Sequence, residues 1–306
     1  MSLDPTDTKI YNNTTSRLTI DKDTAVYAVF AEESVYDSPL TAEELIVTAT
    51  GADTCSVTVP VGRGLRGKIC IPSTISYSPT GGTPSTYRIT GLLGAGIEDD
   101  SAYLRGVTGN DDGGNLSHLT RLTAVFFEGC SGKAGATDYV TDFPEYCFYG
   151  DTSLVYVDIP NSLQRIMRNA FQGDPLSISM NNMKHVHSIA GVVFYDAYEG
   201  TAGQDDNFTL YLGKEVIDGS ANNDVGSIGG NCFNNSSGYS YIKNVVIGSA
   251  QSPVTRIYCS RTAQDVFAQN IQSIIVYVTS DVDTTVLGGI LQNFCVAGAA
   301  PNIEFR

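Results

Sequence analysis

The chain has 306 residues and carries 33 acidic against 18 basic side chains, a formal charge of −15 at pH 7. That balance repels phosphate backbones and anionic bilayer surfaces, which excludes nucleic acid as a partner, and no apolar run approaches the ~20 residues of a spanning helix, which excludes membrane insertion. Hydrophobic residues make up 42% and charged residues 17%, with 31 Gly, 17 Tyr, 12 Phe and no Trp, a composition of strands and turns more than of exposed helices.

The chain opens Met1-Ser2-Leu3-Asp4-Pro5, without a basic cluster followed by an apolar stretch, so cytoplasmic synthesis without a secretory signal is expected. Short β-prone runs follow at Arg17 to Ile20, Thr24 to Phe30, Glu44 to Thr50 and Cys55 to Val61, separated by Asp, Asn, Gly and Pro. They predict a small β-sheet module over 1–61 that caps or anchors the rest, because the first layer of any stacked array otherwise shows an apolar face and an open edge.

Further along, one apolar pattern with offsets of three and five recurs at Leu122, Val125, Phe127, at Leu154, Val157, Ile159, at Ile242, Val245, Ile247, at Ile271, Ile274, Val276 and at Ala300, Ile303, Phe305. Residues at +3 and +5 share a face of an extended strand, so each unit offers one apolar strand face. A second pattern, an apolar residue, three variable ones, a small residue and Phe, appears at Phe143-Pro-Glu-Tyr-Cys147-Phe148, Ile166-Met-Arg-Asn-Ala170-Phe171 and Ile228-Gly-Gly-Asn-Cys232-Phe233. The small residue permits close backbone approach and the ring fills the layer beneath the next strand, which predicts a solenoid core built from these residues. Gly150-Asp151 and Gly173-Asp174 lie at equivalent places and supply the chain reversals between layers.

The segment from Phe148 through Leu154, Ile159-Pro160, Leu163 and Ile166 to Ala170-Phe171 resembles the BspA-type leucine-rich repeat. Ile69-Cys70-Ile71-Pro72 and Tyr87-Arg-Ile89-Thr-Gly91 resemble the strands that lead into such arrays. The resemblance implies a mainly β (β-rich α+β) fold, a degenerate leucine-rich-repeat solenoid over 62–306, with Gly-, Asp-, Asn- and Ser-rich insertions at 93–115, 129–140, 197–207 and 217–226. It also implies ligand or surface binding without catalysis.

Residues that carry chemistry are sparse. Seven cysteines, widely spread and without C-x-x-C spacing, read as buried thiols and not as a disulfide framework or zinc site. Cys147 and Cys232 share the slot of Ala170, which marks packing. Of three histidines, His118, His185 and His187, the last two would share a strand face and make half a metal site, and exposed strand residues are the plainer reading. Gly91-Leu-Leu-Gly94-Ala-Gly96 lacks phosphate-loop spacing and reads as a turn. Asp99-Asp100, Asp111-Asp112 and Gln204-Asp-Asp-Asn207 could gather oxygen around Ca2+, but none matches an EF-hand and solvated turns are expected, so no cofactor is called for. Without Trp, the usual sugar-stacking platform, a carbohydrate-active enzyme is disfavoured. Two accounts of function follow. One is a virion structural or decoration component that binds protein partners within a larger assembly. The other is a cell-surface adhesion module directed at a glycan or host receptor.

Overall fold

A computed structural model describes residues 39–59, 65–79, 82–92, 116–117, 119, 121–130, 135–176, 182–198, 208–219, 227–259 and 263–306, all within one compact unit, Ser38–Arg306. The strands expected at 17–20 and 24–30, the acidic groups at 99–100, 111–112 and 204–207, the glycines at 94 and 96, and His118 lie outside the described residues.

Strands β1 (Ile46–Ala49), β2 (Thr54–Thr58), β4 (Thr74–Tyr77) and β5 (Ser85–Gly91) form one sheet in the order β1-β2-β5-β4. That sheet joins strands on both sides of residue 61. β2 runs parallel to β5, with Cys55 opposite Ile89, and β4 runs antiparallel to β5. β3 (Gly67–Ile71) leaves this sheet for a second one, with β6 (Leu122–Phe127) and β8 (Tyr156–Val157). The buried carboxylate of Glu128, just past β6, accepts from Ser73 N at 3.0 Å and Ser73 Oγ at 2.9 Å, which ties the first sheet to the second.

From β6 onward the chain alternates between two stacks of parallel strands. One stack is β7 (Asp142–Phe143), β9 (Arg165–Ile166), β11 (Ser188–Ile189) and β13 (Ser227–Ile228), with Phe143, Ile166, Ile189 and Ile228 in register. The strands between them belong first to the β3-β6-β8 sheet and then to a five-stranded one: β10 (Asn182–Met183), β12 (Phe208–Leu212), β14 (Ile242–Ile247), β15 (Ser273–Val276) and β16 (Asn302–Phe305). This is a solenoid of stacked parallel turns, mainly β. Its two helices among the described residues are a single turn, α1 (Glu215–Asp218), and α2 (Thr284–Asn293), whose Asp283 carboxylate caps Thr285 N at 3.0 Å and Val286 N at 3.1 Å.

Between the stacks runs a ladder of rings. Phe148 and Phe171 stack at 5.1 Å, Phe171 and Phe194 at 5.2 Å, Phe194 and Phe233 at 5.0 Å, and Phe233 and Phe267 at 5.9 Å. The backbone repeats with them: Phe148 N donates to Ala170 O at 2.8 Å, Phe171 N to Val193 O at 2.9 Å, Phe194 N to Cys232 O at 2.9 Å and Phe233 N to Val266 O at 2.7 Å. Such an approach needs a sharp turn just before the small residue. Tyr146, Asn169, Val192, Asn231 and Asp265, each one position before that slot, all adopt φ between 55° and 64°. Left-handed backbone is tolerable for Asn and Asp and strained for β-branched Val192.

Candidate interaction surface

The residues singled out from sequence line this interior. Phe143, Cys147, Phe148, Leu154, Val157, Ile166, Ala170, Phe171, Ile228, Cys232, Phe233, Ile242, Val245 and Ile247 are buried, whereas Ile159 is half-buried. Ile159 lies beyond the end of β8 at Val157 and packs against the core from its edge. Asp158 then turns inward, where Oδ2 accepts from Phe127 N at 2.8 Å and Oδ1 from Tyr156 OH at 2.6 Å. Sequence reasoning passed over two turns of the array, those of Val193-Phe194 and Val266-Phe267, because Val stands where Ala or Cys was sought. A step of 23 residues from Phe171 reaches Phe194.

Asp151 and Asp174, expected as reversal residues, are wholly buried. Asp151 Oδ1 accepts from Leu119 N at 2.6 Å and Asp174 Oδ1 from Asp151 N at 3.0 Å, so each carboxylate satisfies a backbone donor in the preceding turn. Asp174 Oδ2 has no hydrogen-bond partner among the described residues. Burial first, and the neighbouring Asp151 charge second, hold the Asp174 carboxyl well above the usual carboxylate range.

Six cysteines are buried thiols and Cys130 is exposed. Burial pushes Cys55 and Cys295 up to about 11 and raises Cys232 further, which makes them poor nucleophiles. His185 and His187 sit ahead of β11, not within a strand. His185 Nε2 is 2.7 Å from Pro160 O, while His187 lines a separate cavity. Among the described residues no group of three or more His, Cys, Asp or Glu is placed to hold a metal ion, and no helix is long and apolar enough to cross a membrane.

The five-stranded sheet displays its outward side chains in register. Leu210, Val245, Ile274 and Ile303 form one inward row; Leu212, Ile247, Val276 and Phe305 form another. Alternation places two rows on the opposite face. One is polar, Thr209, Asn244, Ser273 and Asn302, with Ser273 Oγ donating to Asn244 Oδ1 at 2.6 Å; the other is Tyr211, Val246, Ile275 and Glu304. Tyr211, Val246 and Ile275 are each partly exposed, and Lys184 Nζ lies 4.7 Å from the Tyr211 ring centroid.

Residues 116–199 of these stacked parallel turns match the BspA type leucine rich repeat region in six copies. Residues 116–199 are thus a BspA-type leucine-rich repeat region, and the stacked turns continue beyond it through Phe233 and Phe267 to β16. A comparison with curated proteins finds no match. Among solved structures, a leucine rich cell surface protein from Faecalibacterium prausnitzii A2-165 is 14% identical, with 88% of this chain and 95% of that chain covered at a TM-score of 0.21.

Proposed function

We propose that this chain is a non-enzymatic structural and interaction protein that presents the outward face of its five-stranded sheet to another macromolecule. The observation that carries this reading is the Tyr211, Val246, Ile275 row. A strand face turned to water normally alternates to polar residues, whereas this row keeps partly exposed apolar side chains beside a polar one, the apolar core and polar rim of a protein interface. The partner is another protein or a larger assembly. The finer placement is a virion structural or decoration component, supported by the Gly- and Tyr-rich, acidic composition. The repeat region itself favours a second reading, a cell-surface interaction module, since stacked turns give an extended recognition surface.

Quantitative mass spectrometry of purified particles, outer-surface fractions and cytosol from the source tests both, for the parent chain and for Ile275→Glu. Stoichiometric recovery in particles, lost for the variant while its melting temperature holds, is the expected result. Recovery at the cell surface establishes the second reading, and recovery in cytosol alone overturns both.

A further inference from the structure

Strand β4 is an edge of the first sheet, and its outer side is open. Ser73 O accepts from Ile89 N at 3.0 Å, so in the β4–β5 register the pairs that exchange hydrogen bonds are Ile75 with Tyr87 and Tyr77 with Ser85. Arg88, opposite Thr74, shows the same phase: its N–H turns the other way and donates to Asp53 O at 2.8 Å. The N–H and C=O of Thr74 and Ser76 therefore point away from β5, and among the described residues they form no hydrogen bond. These open groups border a groove of about 620 Å3 whose other wall is residues 39–43. Leu40 N donates to Cys70 O at 2.9 Å, which holds that wall on β3.

Sheet edges that meet water are commonly blunted by charge or proline. β16, the edge of the five-stranded sheet, carries the Glu304–Arg306 ion pair in this way. β4 reads Thr74-Ile75-Ser76-Tyr77, β-prone and uncharged, so nothing within it discourages a further strand. An extended backbone supplies donors and acceptors at the two-residue spacing of Thr74 and Ser76, as in recognition by strand addition. The lining adds apolar contacts from Leu40, Ala42, Pro72 and Ile75 and polar ones from Thr74 and Ser76, which suits an occupant that alternates apolar and polar residues. Because residues 39–43 face β4, the groove admits a single strand, whereas the whole sheet of a second copy would meet that wall. We propose that β4 takes up an extended segment of another protein as an added strand in this groove.

The probe is a heptapeptide of alternating valine and threonine, titrated into the full chain and compared with the same peptide N-methylated at every second residue. The parent peptide is expected to bind saturably with Kd on the order of 0.1 mM, and the N-methylated one about tenfold or more weaker, since one hydrogen-bonding edge is blocked. Amide hydrogen exchange should slow at Thr74 and Ser76 when the parent peptide is bound. Ser76→Pro removes one outward N–H without touching the ladder to β5, and should weaken the peptide about tenfold at an unchanged melting temperature. If Ser76→Pro does not fold, the exchange data and the N-methyl comparison on the parent chain decide. No saturable binding, equal binding of the two peptides, or protection at another edge in place of Thr74 and Ser76 would each overturn the proposal. So would a concentration-dependent dimer in sedimentation that Ser76→Pro abolishes, which assigns the edge to a second copy. The groove shares no residue with the outward face of the five-stranded sheet, so failure here leaves the fractionation result unaffected.

Discussion

The two parallel stacks of the solenoid are built differently. Strands β7, β9, β11 and β13 are two residues long and so contribute few ladder hydrogen bonds; their side is held by the phenylalanine ladder and the left-handed turns beside it. In the five-stranded sheet, β12, β14, β15 and β16 are four to six residues long, keep a continuous backbone ladder and carry partly exposed apolar residues outward. The first stack spends its side chains inward on cohesion, while the second has backbone bonding enough to leave one face with partly exposed apolar side chains. Changes in the ring ladder should therefore cost stability, and changes on the outward face should cost binding.

The sharpest way to break this contrast is Phe171→Ala. Phe171 stacks on Phe148 and Phe194 and meets Phe143 edge-on, so its removal is expected to cost about 3–5 kcal/mol in denaturant titrations. A loss below ~1 kcal/mol would mean that the ladder does not hold the array.

The next largest effect is electrostatic. Because the folded-state Asp174 carboxyl lies above its ordinary value of 3.8, its favourable contribution is fully present below that value and is lost as pH rises through the raised one. Asp158, also raised chiefly by burial, acts in the same direction. The melting temperature should accordingly fall as the pH climbs out of the carboxylate range. Asp174→Asn keeps an oxygen for Asp151 N but no charge, so it should flatten that fall, and an unchanged pH profile in the variant would refute the assignment.

Smaller again is Val192→Asn. It places at φ 64° the residue type that Asn169 and Asn231 supply at equivalent turns, and a gain of about 1 kcal/mol is expected. Smallest in stability is Ile275→Glu on the outward face, expected within about 0.5 kcal/mol of the parent while partner recovery drops, since surface substitutions away from caps and buried networks cost little. A large destabilisation there would erase the distinction between the stacks.

Much of the interior was legible from the residues. A unit that cannot bury its own face must repeat the same buried positions, so Phe143, Phe148, Ile166 and Phe171 announce themselves by spacing, as do Val245 with Ile247 and Ile274 with Val276. Phe194 and Phe267 were missed because Val193 and Val266 fill a slot that holds up to valine, a tolerance that only packing reveals. The candidate surface was half legible: alternation along β12, β14 and β15 gives each strand's outward residues, but not which strands lie side by side. The sequence by itself determined the repeating unit, its inward residues and the acidic charge that repels nucleic acid. Tertiary structure alone decided that Asp151 and Asp174 are sealed inside, that Tyr211, Val246 and Ile275 form one row, and that His187, Lys214 and Arg256 meet around one cavity. The reason is that insertions of unequal length separate these positions along the chain, and stacking of the turns brings them into register regardless of that distance.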